Sequence, residues 1–325
     1  MKIVLNILVL VWLPLFGISQ TIEKSSIDSG GASASAGGIE ILYTIGEVAI
    51  AERSASGVSV SEGFINPEFR LQINTQVLLQ GSILSPDTPG LMNDDLRTSG
   101  LIPTTSPFAD GLTCNASIFN TTGNDAIVDW VWVSIRSNLD NQRQIQGRSA
   151  LLQRDGDIVD IDGTSDVTLT IPQNTYFIAV QHRNHLGVMS AAPIQFDDTS
   201  AVVIDFKDVG LATFGSNAQV LLGSGDRALW AGDANGDKAI QFSGSTSDAN
   251  AIKDYILADP SNFLNFITFS STGYLPFDID LNGLARFSGS DNDSNIIKDN
   301  VLAHPGNFLG LPTFTISTTV PEITN

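Results

Sequence analysis

The chain has 325 residues, of which 42% are hydrophobic, and its 35 acidic against 16 basic residues give a net charge of −19. An excess of negative charge of this size repels phosphate backbones, which excludes nucleic acid as a partner and suits divalent cations instead. The only cysteine, Cys114, excludes an intrachain disulfide, and we expect it to pack as a small apolar side chain.

The first predicted element is a secretory signal peptide at residues 1–19. Lys2 precedes a largely apolar stretch from Ile3 to Leu15, and small residues lead to a cleavage site after Ser19. The apolar stretch is shorter than the roughly 18 residues that a transmembrane anchor needs. We therefore expect a mature protein that is secreted or on the cell surface, with no transmembrane segment after signal cleavage.

Residues 20–68 form a segment rich in glycine and serine. β-prone runs at Ile39–Ile50 and Val58–Val60 are set among small residues. This pattern predicts short β-hairpins.

Residues 69–222 contain a series of predicted strands separated by turns. The sequence AIVDWVWVSIRS, at Ala126–Ser137, is apolar on both faces of a strand, as in a strand at the centre of a sheet. Asp155 and Gly156 lie between two apolar runs, which predicts a hairpin. No segment here has the pattern of an amphipathic helix. We therefore predict a mainly β fold, and for this domain a β-sandwich of two sheets.

Two histidines, His182 and His185, are the strongest candidates for catalysis or zinc binding in this domain. His182 continues the period-two apolar face of a strand, so we expect both side chains to be structural. The sequence has no metalloprotease, nucleophile-elbow or phosphate-loop motif, and we predict no enzyme activity. Trp130 and Trp132 fit either a buried strand or a platform that stacks on sugars.

Residues 226–311 contain an internal repeat with a period of 45. The sequences FSGS, IKD and NFL begin at Phe242, Ile252 and Asn262, and each recurs 45 residues later. Two copies of one loop-plus-helix unit are therefore predicted. The remaining residues, 312–325, are predicted to be a tail.

Each copy begins with oxygen-bearing side chains at positions one, three and five of a loop. The candidate ligands are Asp233, Asn235, Asp237, the carbonyl of Ala239 and Asp248 in the first copy, and Asp278, Asp280, Asn282, the carbonyl of Leu284 and Asp293 in the second. Calcium loops of the EF-hand type use oxygens at these early positions and a late carboxylate. Position twelve is glycine in both copies, so we expect an enlarged loop that the late aspartate completes. Ligands that are all oxygen favour calcium as the cofactor.

The late aspartates precede two predicted helices, Asp248–Leu257 and Asp293–Leu302. Ile252, Ile256 and Ile297 lie on apolar faces and are expected to pack together. An alternative role for the two aspartates is that of helix N-caps, which needs no metal. We expect calcium to order the repeats while the β domain stays folded without it.

The segments GDANGD…DANAIKDYIL and DIDLNG…DSNIIKDNVL resemble the duplicated calcium loops and helices of type I dockerin modules. The stretches AIVDWVWVSIRS and YFIAVQHRNHLGVMSAAPI resemble a β-rich module that precedes such loops in exported bacterial surface proteins. Together the resemblances cover about residues 70 to 311, and they imply calcium binding outside the cytoplasm. A cohesin-like partner is not implied, because the enlarged loops alter the helix surfaces that would engage it.

These observations favour one function over an alternative. The first is a non-catalytic, calcium-stabilised exported protein that works as an adhesion or assembly module, with a protein or glycan at the cell surface as partner. The alternative is a carbohydrate-binding or polysaccharide-processing accessory protein. An exposed aromatic strip on one sheet would favour the alternative.

Overall fold

The computed structural model describes residues 31–36, 39–44, 51–55, 58–62, 70–196 and 201–324. The chain divides into two compact units, Met1–Glu68 and Phe69–Asn325. The predicted signal peptide at residues 1–19 lies outside the described residues.

Strands outnumber helices, so the protein is mainly β, as predicted. The strands are β1 (Gly31–Ala36), β2 (Ile39–Thr44), β3 (Ala51–Ala55), β4 (Val58–Glu62), β5 (Leu71–Gln76), β6 (Ile127–Ser137), β7 (Gln144–Gln153), β8 (Asp157–Val159), β9 (Val167–Leu169), β10 (Asn174–Gln181), β11 (Val188–Met189), β12 (Ile194–Phe196), β13 (Val202–Asp205), β14 (Gln219–Leu221), β15 (Arg227–Leu229), β16 (Ala239–Gln241), β17 (Ser270–Thr272), β18 (Leu284–Arg286) and β19 (Thr315–Ser317). The helices are α1 (Gln80–Ile83), α2 (Asp95–Thr98), α3 (Asp248–Ala258) and α4 (Asp293–Ala303), and a 3-10 helix covers Ala116–Asn120.

The first unit contains two short antiparallel pairs. β1 pairs with β2, and β3 pairs with β4, each across a connection of two residues. These are the hairpins that the glycine- and serine-rich pattern of residues 20–68 predicts.

Nine strands of the second unit form one sheet. Its order is β11-β10-β6-β7-β8-β5-β13, with β12 paired to β10 and β9 paired to β5. The pairs are antiparallel except for β13, which runs parallel to β5. β6 lies inside the sheet, and ten of its eleven residues are buried, which explains why its sequence is apolar on both faces.

The β-rich structure is compatible with the predicted β-sandwich, but the described strands β5–β13 of this unit are hydrogen-bonded into one sheet rather than two. The short strand β8 pairs with β7 on one edge and with β5 on the other. It therefore connects strands that would otherwise lie in different sheets. A strand of three residues leaves little periodic signal, so its two pairings do not show in the sequence. Two single-turn helices, α1 and α2, and the 3-10 helix also escaped prediction for this reason.

The two repeats fold as predicted, with helices that end one residue later than expected. Ile252 and Ile256 of α3 lie with Ile297 of α4 in one buried cluster, together with Ile240 and Trp230. Each side chain of the predicted trio is fully buried. The apolar faces of the helices therefore form the core of the repeat region.

The repeat region and the β domain belong to a single compact unit. The domain boundary expected between residues 222 and 226 therefore does not separate two compact units. The main-chain nitrogen of Leu229 donates to the oxygen of Leu78 at 2.8 Å. The side chains of Gln80 and Asn300 are hydrogen-bonded at 2.7 Å, both buried. Buried polar contacts of this kind tie the repeats to the sheet.

Residues 312–324, which the structure describes, are not a free tail. β19 pairs antiparallel with β16 of the first repeat, and Ile316 of β19 is buried in the repeat core. Further along, the oxygen of Pro321 accepts a hydrogen bond from Arg136 Nη1 at 2.6 Å. The alternation in the sequence TFTIS is the signal that marks this strand.

Candidate metal centre

The two repeats form loops with the same hydrogen-bond pattern, which we call the first loop (233–248) and the second loop (278–293). Asp233 Oδ2 accepts a hydrogen bond from the nitrogen of Lys238 at 3.1 Å, and Asp278 Oδ2 accepts one from Gly283 at 2.8 Å. The side chains at positions three and five accept from main-chain nitrogens two residues ahead in both loops. The repeat in sequence is therefore a repeat in conformation.

Positions four and six of both loops adopt left-handed backbone. The residues there are Gly236 and Lys238 in the first loop, with φ of 76° and 66°, and Leu281 and Gly283 in the second, with φ of 63° and 87°. Each loop thus carries one glycine and one residue with a side chain in a conformation that favours glycine. At position one of this tight turn Asp233 and Asp278 are buried, whereas Asn235 and Asp237 of the first loop are exposed.

The late aspartates belong to the loops rather than to the helix caps. Asp248 and Asp293 each accept hydrogen bonds from main-chain nitrogens on both sides of their own loop, at 2.6 to 2.8 Å. The residues that cap the helices are Ser247 and Asn292, whose side chains accept from nitrogens in the first turn. The alternative role as N-caps is therefore wrong, and both carboxylates bind main-chain nitrogens of their own loops; their role as metal ligands stays a prediction.

The second loop brings three carboxylates together. Asp278, Asp280 and Asp293 each offer an oxygen, and these atoms lie within 4.8 Å of one another. Burial and repulsion from the two neighbouring carboxylates raise the pKa of Asp280 to about 8. Burial and the charge of Asp278 raise the pKa of Asp293 to about 7. The group can hold a metal ion, because a cation removes the repulsion that disfavours the charged forms.

The first loop has a different mark of a cation site. Asp233 Oδ1 is buried and has no hydrogen-bond partner, and the residue as a whole is 7% exposed. A buried carboxylate oxygen without a partner is unfavourable unless something positive faces it. Burial and the charge of Asp248 raise the pKa of Asp233 to about 7. Among the described residues, the carboxylates of this loop do not form a group as close as the one in the second loop, so the unpartnered oxygen is the observation that supports a cation here.

The two predicted carbonyl ligands, Ala239 and Leu284, begin strands β16 and β18. Their nitrogens donate to the side chains at position five, at 3.0 Å from Asp237 and 2.9 Å from Asn282. These bonds hold the seventh residue against the loop. The role of its carbonyl oxygen stays a prediction.

A buried polar network connects the second loop to the sheet. Asp129 of β6 accepts hydrogen bonds from Arg183 Nε at 3.0 Å and from Tyr274 Oη at 2.5 Å. Arg183 lies over the Tyr274 ring, 4.3 Å from its centroid, and donates to the oxygen of Leu275. Burial alone raises the pKa of Asp129, but the Arg183 charge and the hydrogen bonds outweigh it and hold that pKa well below its usual value.

His182 and His185 belong to the same network. Their Nδ1 atoms are 3.0 Å apart, and His182 Nε2 lies 3.1 Å from Asp129 Oδ2. Burial lowers the pKa of both imidazoles, which favours their neutral forms. The side chains are engaged by neighbouring strands and loops, as the sequence predicts. The network itself was not predicted, because its members are far apart in the chain.

Two further predictions concern the β domain. Trp130 is fully buried and donates from Nε1 to the oxygen of Pro103 at 2.8 Å, so it is a core residue. Trp132 is half-buried and lies against Phe108, with ring centroids 5.9 Å apart. Cys114 is half-buried and packs against the main core, and burial raises its thiol pKa. The expected packing role of the thiol is confirmed.

Comparisons of the chain with protein-family models, with curated proteins and with solved structures found no match. Within the described residues, no helix has the length and apolar character to cross a membrane.

Proposed function

We propose that each loop binds one calcium ion and that the ions stabilise a non-catalytic, exported protein that works as an adhesion or assembly module. The observation that carries this proposal is the matched geometry of the two loops. Side chains at positions one, three and five and a late aspartate occupy the same hydrogen-bonded positions twice. The second copy brings three carboxylates within 4.8 Å, and the first leaves a buried oxygen of Asp233 unpartnered.

The residues present fit calcium in particular. All the candidate side chains are carboxylates or amides, and hard oxygen ligands in a flexible loop suit calcium better than zinc or copper. The side-chain ligands are Asp233, Asn235, Asp237 and Asp248 in the first loop and Asp278, Asp280, Asn282 and Asp293 in the second. When bound, calcium neutralises carboxylates whose mutual repulsion otherwise opposes folding.

The dockerin-like resemblance supports the same proposal. Each loop leads directly into an eleven-residue helix, and the helices pack on one another through Ile252, Ile256 and Ile297. A chain with one cysteine has no disulfide to stabilise it outside the cell, and two metal sites supply that stabilisation.

The surface favours a protein partner over a sugar. In the described sheet, Trp130 is buried and Trp132 is half-buried against Phe108, so these residues do not form an exposed aromatic strip. Among the described residues, Phe263 and Phe308 are largely exposed, at 81% and 88%, and they occupy equivalent positions after the two helices. Exposed apolar side chains of this kind are typical of protein contacts.

Calorimetry tests the metal part of the proposal. Calcium added to metal-free protein, starting at residue 20, should bind with two ions per chain, and Asp280→Asn should weaken the second-loop ion. Asp140→Asn, at an exposed aspartate outside both loops, is the matched control and should bind as the parent does. No heat of calcium binding, or an unchanged isotherm for Asp280→Asn, contradicts the proposal. A glycan array with and without calcium tests the alternative, which glycan binding would support.

A further inference from the structure

One fully buried residue, Asn184, contacts the first position of both loops. It lies in the turn that follows β10 and precedes β11. Its main-chain oxygen accepts hydrogen bonds from the nitrogens of Gly232 at 3.0 Å and Asp233 at 3.1 Å. Its side-chain Nδ2 donates to the main-chain oxygen of Asp278 at 2.6 Å. A single residue of the β domain therefore links the two candidate ligands that begin the loops.

The orientation of the Asn184 amide is determined by its neighbours. The main-chain nitrogen of Gly81 donates to His185 Nε2 at 3.1 Å, so the proton of the neutral imidazole is on Nδ1. His185 Nδ1 lies 2.8 Å from Asn184 Oδ1 and 3.0 Å from His182 Nδ1, and its proton faces both acceptors. The other end of the amide, Nδ2, therefore faces the oxygens of Asp278 and Pro276, which lie at 2.6 and 3.1 Å.

A second link, through Gln80, also connects the two repeats and restricts their movement relative to each other. Gln80 Oε1 accepts from the nitrogen of Ala231, just before the first loop, at 3.0 Å, and from Asn300 Nδ2 of α4 at 2.9 Å. Gly81 lies so close to the second loop that an added Cβ would be 1.9 Å from the oxygen of Ile279. The main chain at the start of each loop is thus fixed against the same small part of the β domain.

We infer that Asn184 is a positioning residue that couples the two loops, so that calcium bound in one raises the calcium affinity of the other. The inference rests on the proposed calcium binding. An ion in the second loop orders Asp278, whose main-chain oxygen holds the Asn184 side chain. The ordered Asn184 then presents its own oxygen to the nitrogens of Gly232 and Asp233, so the second ion meets a loop that is already ordered.

A thermodynamic cycle on the mature chain tests the coupling. Asp280→Ala removes a ligand from the second loop, and calorimetry then measures the calcium affinity of the first loop. Occupancy of one coupled site typically changes the affinity of the other by about 5- to 150-fold. We expect Asp280→Ala to weaken the first-loop ion about tenfold when Asn184 is present, and less than about twofold when Asn184→Ala is added.

The matched control is Asn307→Ala. Asn307 is also buried and donates to the oxygens of Val301 and Leu311 at 2.7 and 2.9 Å, but these contacts are with neither loop. Both alanine variants should lower the Tm, and only Asn184→Ala should abolish the coupling. Loss of the coupling in both variants overturns the inference, because general destabilisation then explains it.

Hydrogen exchange provides a measurement that leaves Asn184 unchanged, in case its replacement prevents folding. In Asp237→Ala, calcium is directed to the second loop. The amides of Gly232 and Asp233 should then exchange about tenfold more slowly with calcium than without it, because they donate to Asn184. Unchanged exchange, or two independent sites in the parent protein, overturns the coupling and leaves calcium binding intact. Absence of calcium binding in the parent overturns both proposals.

Discussion

Replacing Asp129 by asparagine tests whether the buried network is needed for the folded unit. The carboxylate is fully buried and faces the guanidinium of Arg183, whose side chain is 8% exposed. Asparagine keeps the shape but leaves Arg183 without its counter-charge. Removing one partner of a buried ion pair costs about 3–5 kcal/mol, against a total stability of roughly 5–15 kcal/mol for a typical domain. We expect Asp129→Asn to lose about 3 kcal/mol or more of unfolding free energy.

Urea unfolding measures this loss with two probes. Trp130 lies in the sheet core and Trp230 in the repeat core, so tryptophan fluorescence follows both parts, and circular dichroism follows the helices. Asp140→Asn is the surface control and should change stability by no more than about 0.5 kcal/mol. Adding Arg183→Met to Asp129→Asn should restore part of the loss, because it removes the unpaired charge.

The pH dependence of the same measurement has a definite sign. The folded-state pKa of Asp129 is lowered, so its contribution is present above the unfolded pKa of about 3.9 and is lost as the pH falls toward the folded value. The difference between parent and Asp129→Asn should therefore shrink below about pH 4. A loss under about 1 kcal/mol at pH 7, or one that the Arg183→Met change worsens, would refute the reasoning.

Three further predictions concern the loops. In chelator the free energy of unfolding should fall as the pH rises from about 4 to 8. The folded-state pKa values of Asp233 and Asp280 are raised, so stability is lost as these groups ionise. Calcium should remove this trend, and thermal melts across the same pH range with and without calcium measure it. Lys238→Gly should stabilise the metal-free protein by roughly 0.5–1 kcal/mol, because φ is 66° at this position and glycine adopts such a φ without strain. Gly236→Ala should destabilise it through backbone strain alone, since the added Cβ would meet no other atom. A Tm equal to that of the parent in either variant would contradict this. Chelation should increase protease cleavage in the sheet as well as in the repeats, contrary to the sequence-based expectation, because Arg183 joins the sheet to Leu275, just before the second loop, and Asn184 donates to Asp278 in that loop. Cleavage confined to residues 226–311 would refute it.

The sequence predicts the loops well because their geometry is local. Asp233, Asn235 and Asp237 act within a few residues, so their spacing alone indicates a turn with inward oxygens. The departure at position twelve also pointed to Asp248, because a carboxylate at the start of a helix recurs in both copies, and its side chain accepts main-chain hydrogen bonds of the loop; its role as a ligand stays a prediction. Local spacing is therefore sufficient where the interacting atoms are close in the chain.

The network beneath the second loop has no local signal. Tyr274 and Asp129 are 145 residues apart, and Gln80 and Asn300 are 220 apart. Each of these residues is ordinary in its own segment, and only the packing of the repeats on the sheet brings them together. The single sheet was missed for a similar reason, since the pairing of β8 on both edges depends on the fold as a whole.

The pairing of β16 with β19 has a consequence for the order in which the chain acquires its structure. β16 lies within the first loop, at its seventh to ninth residues, but its partner is synthesised only after the whole second repeat. The second loop has its partner strand, β17, immediately before it, so that hairpin closes over a short span. Closing the longer span has the larger entropic barrier. During synthesis, the second repeat can therefore complete its hairpin first, and the first repeat is completed last.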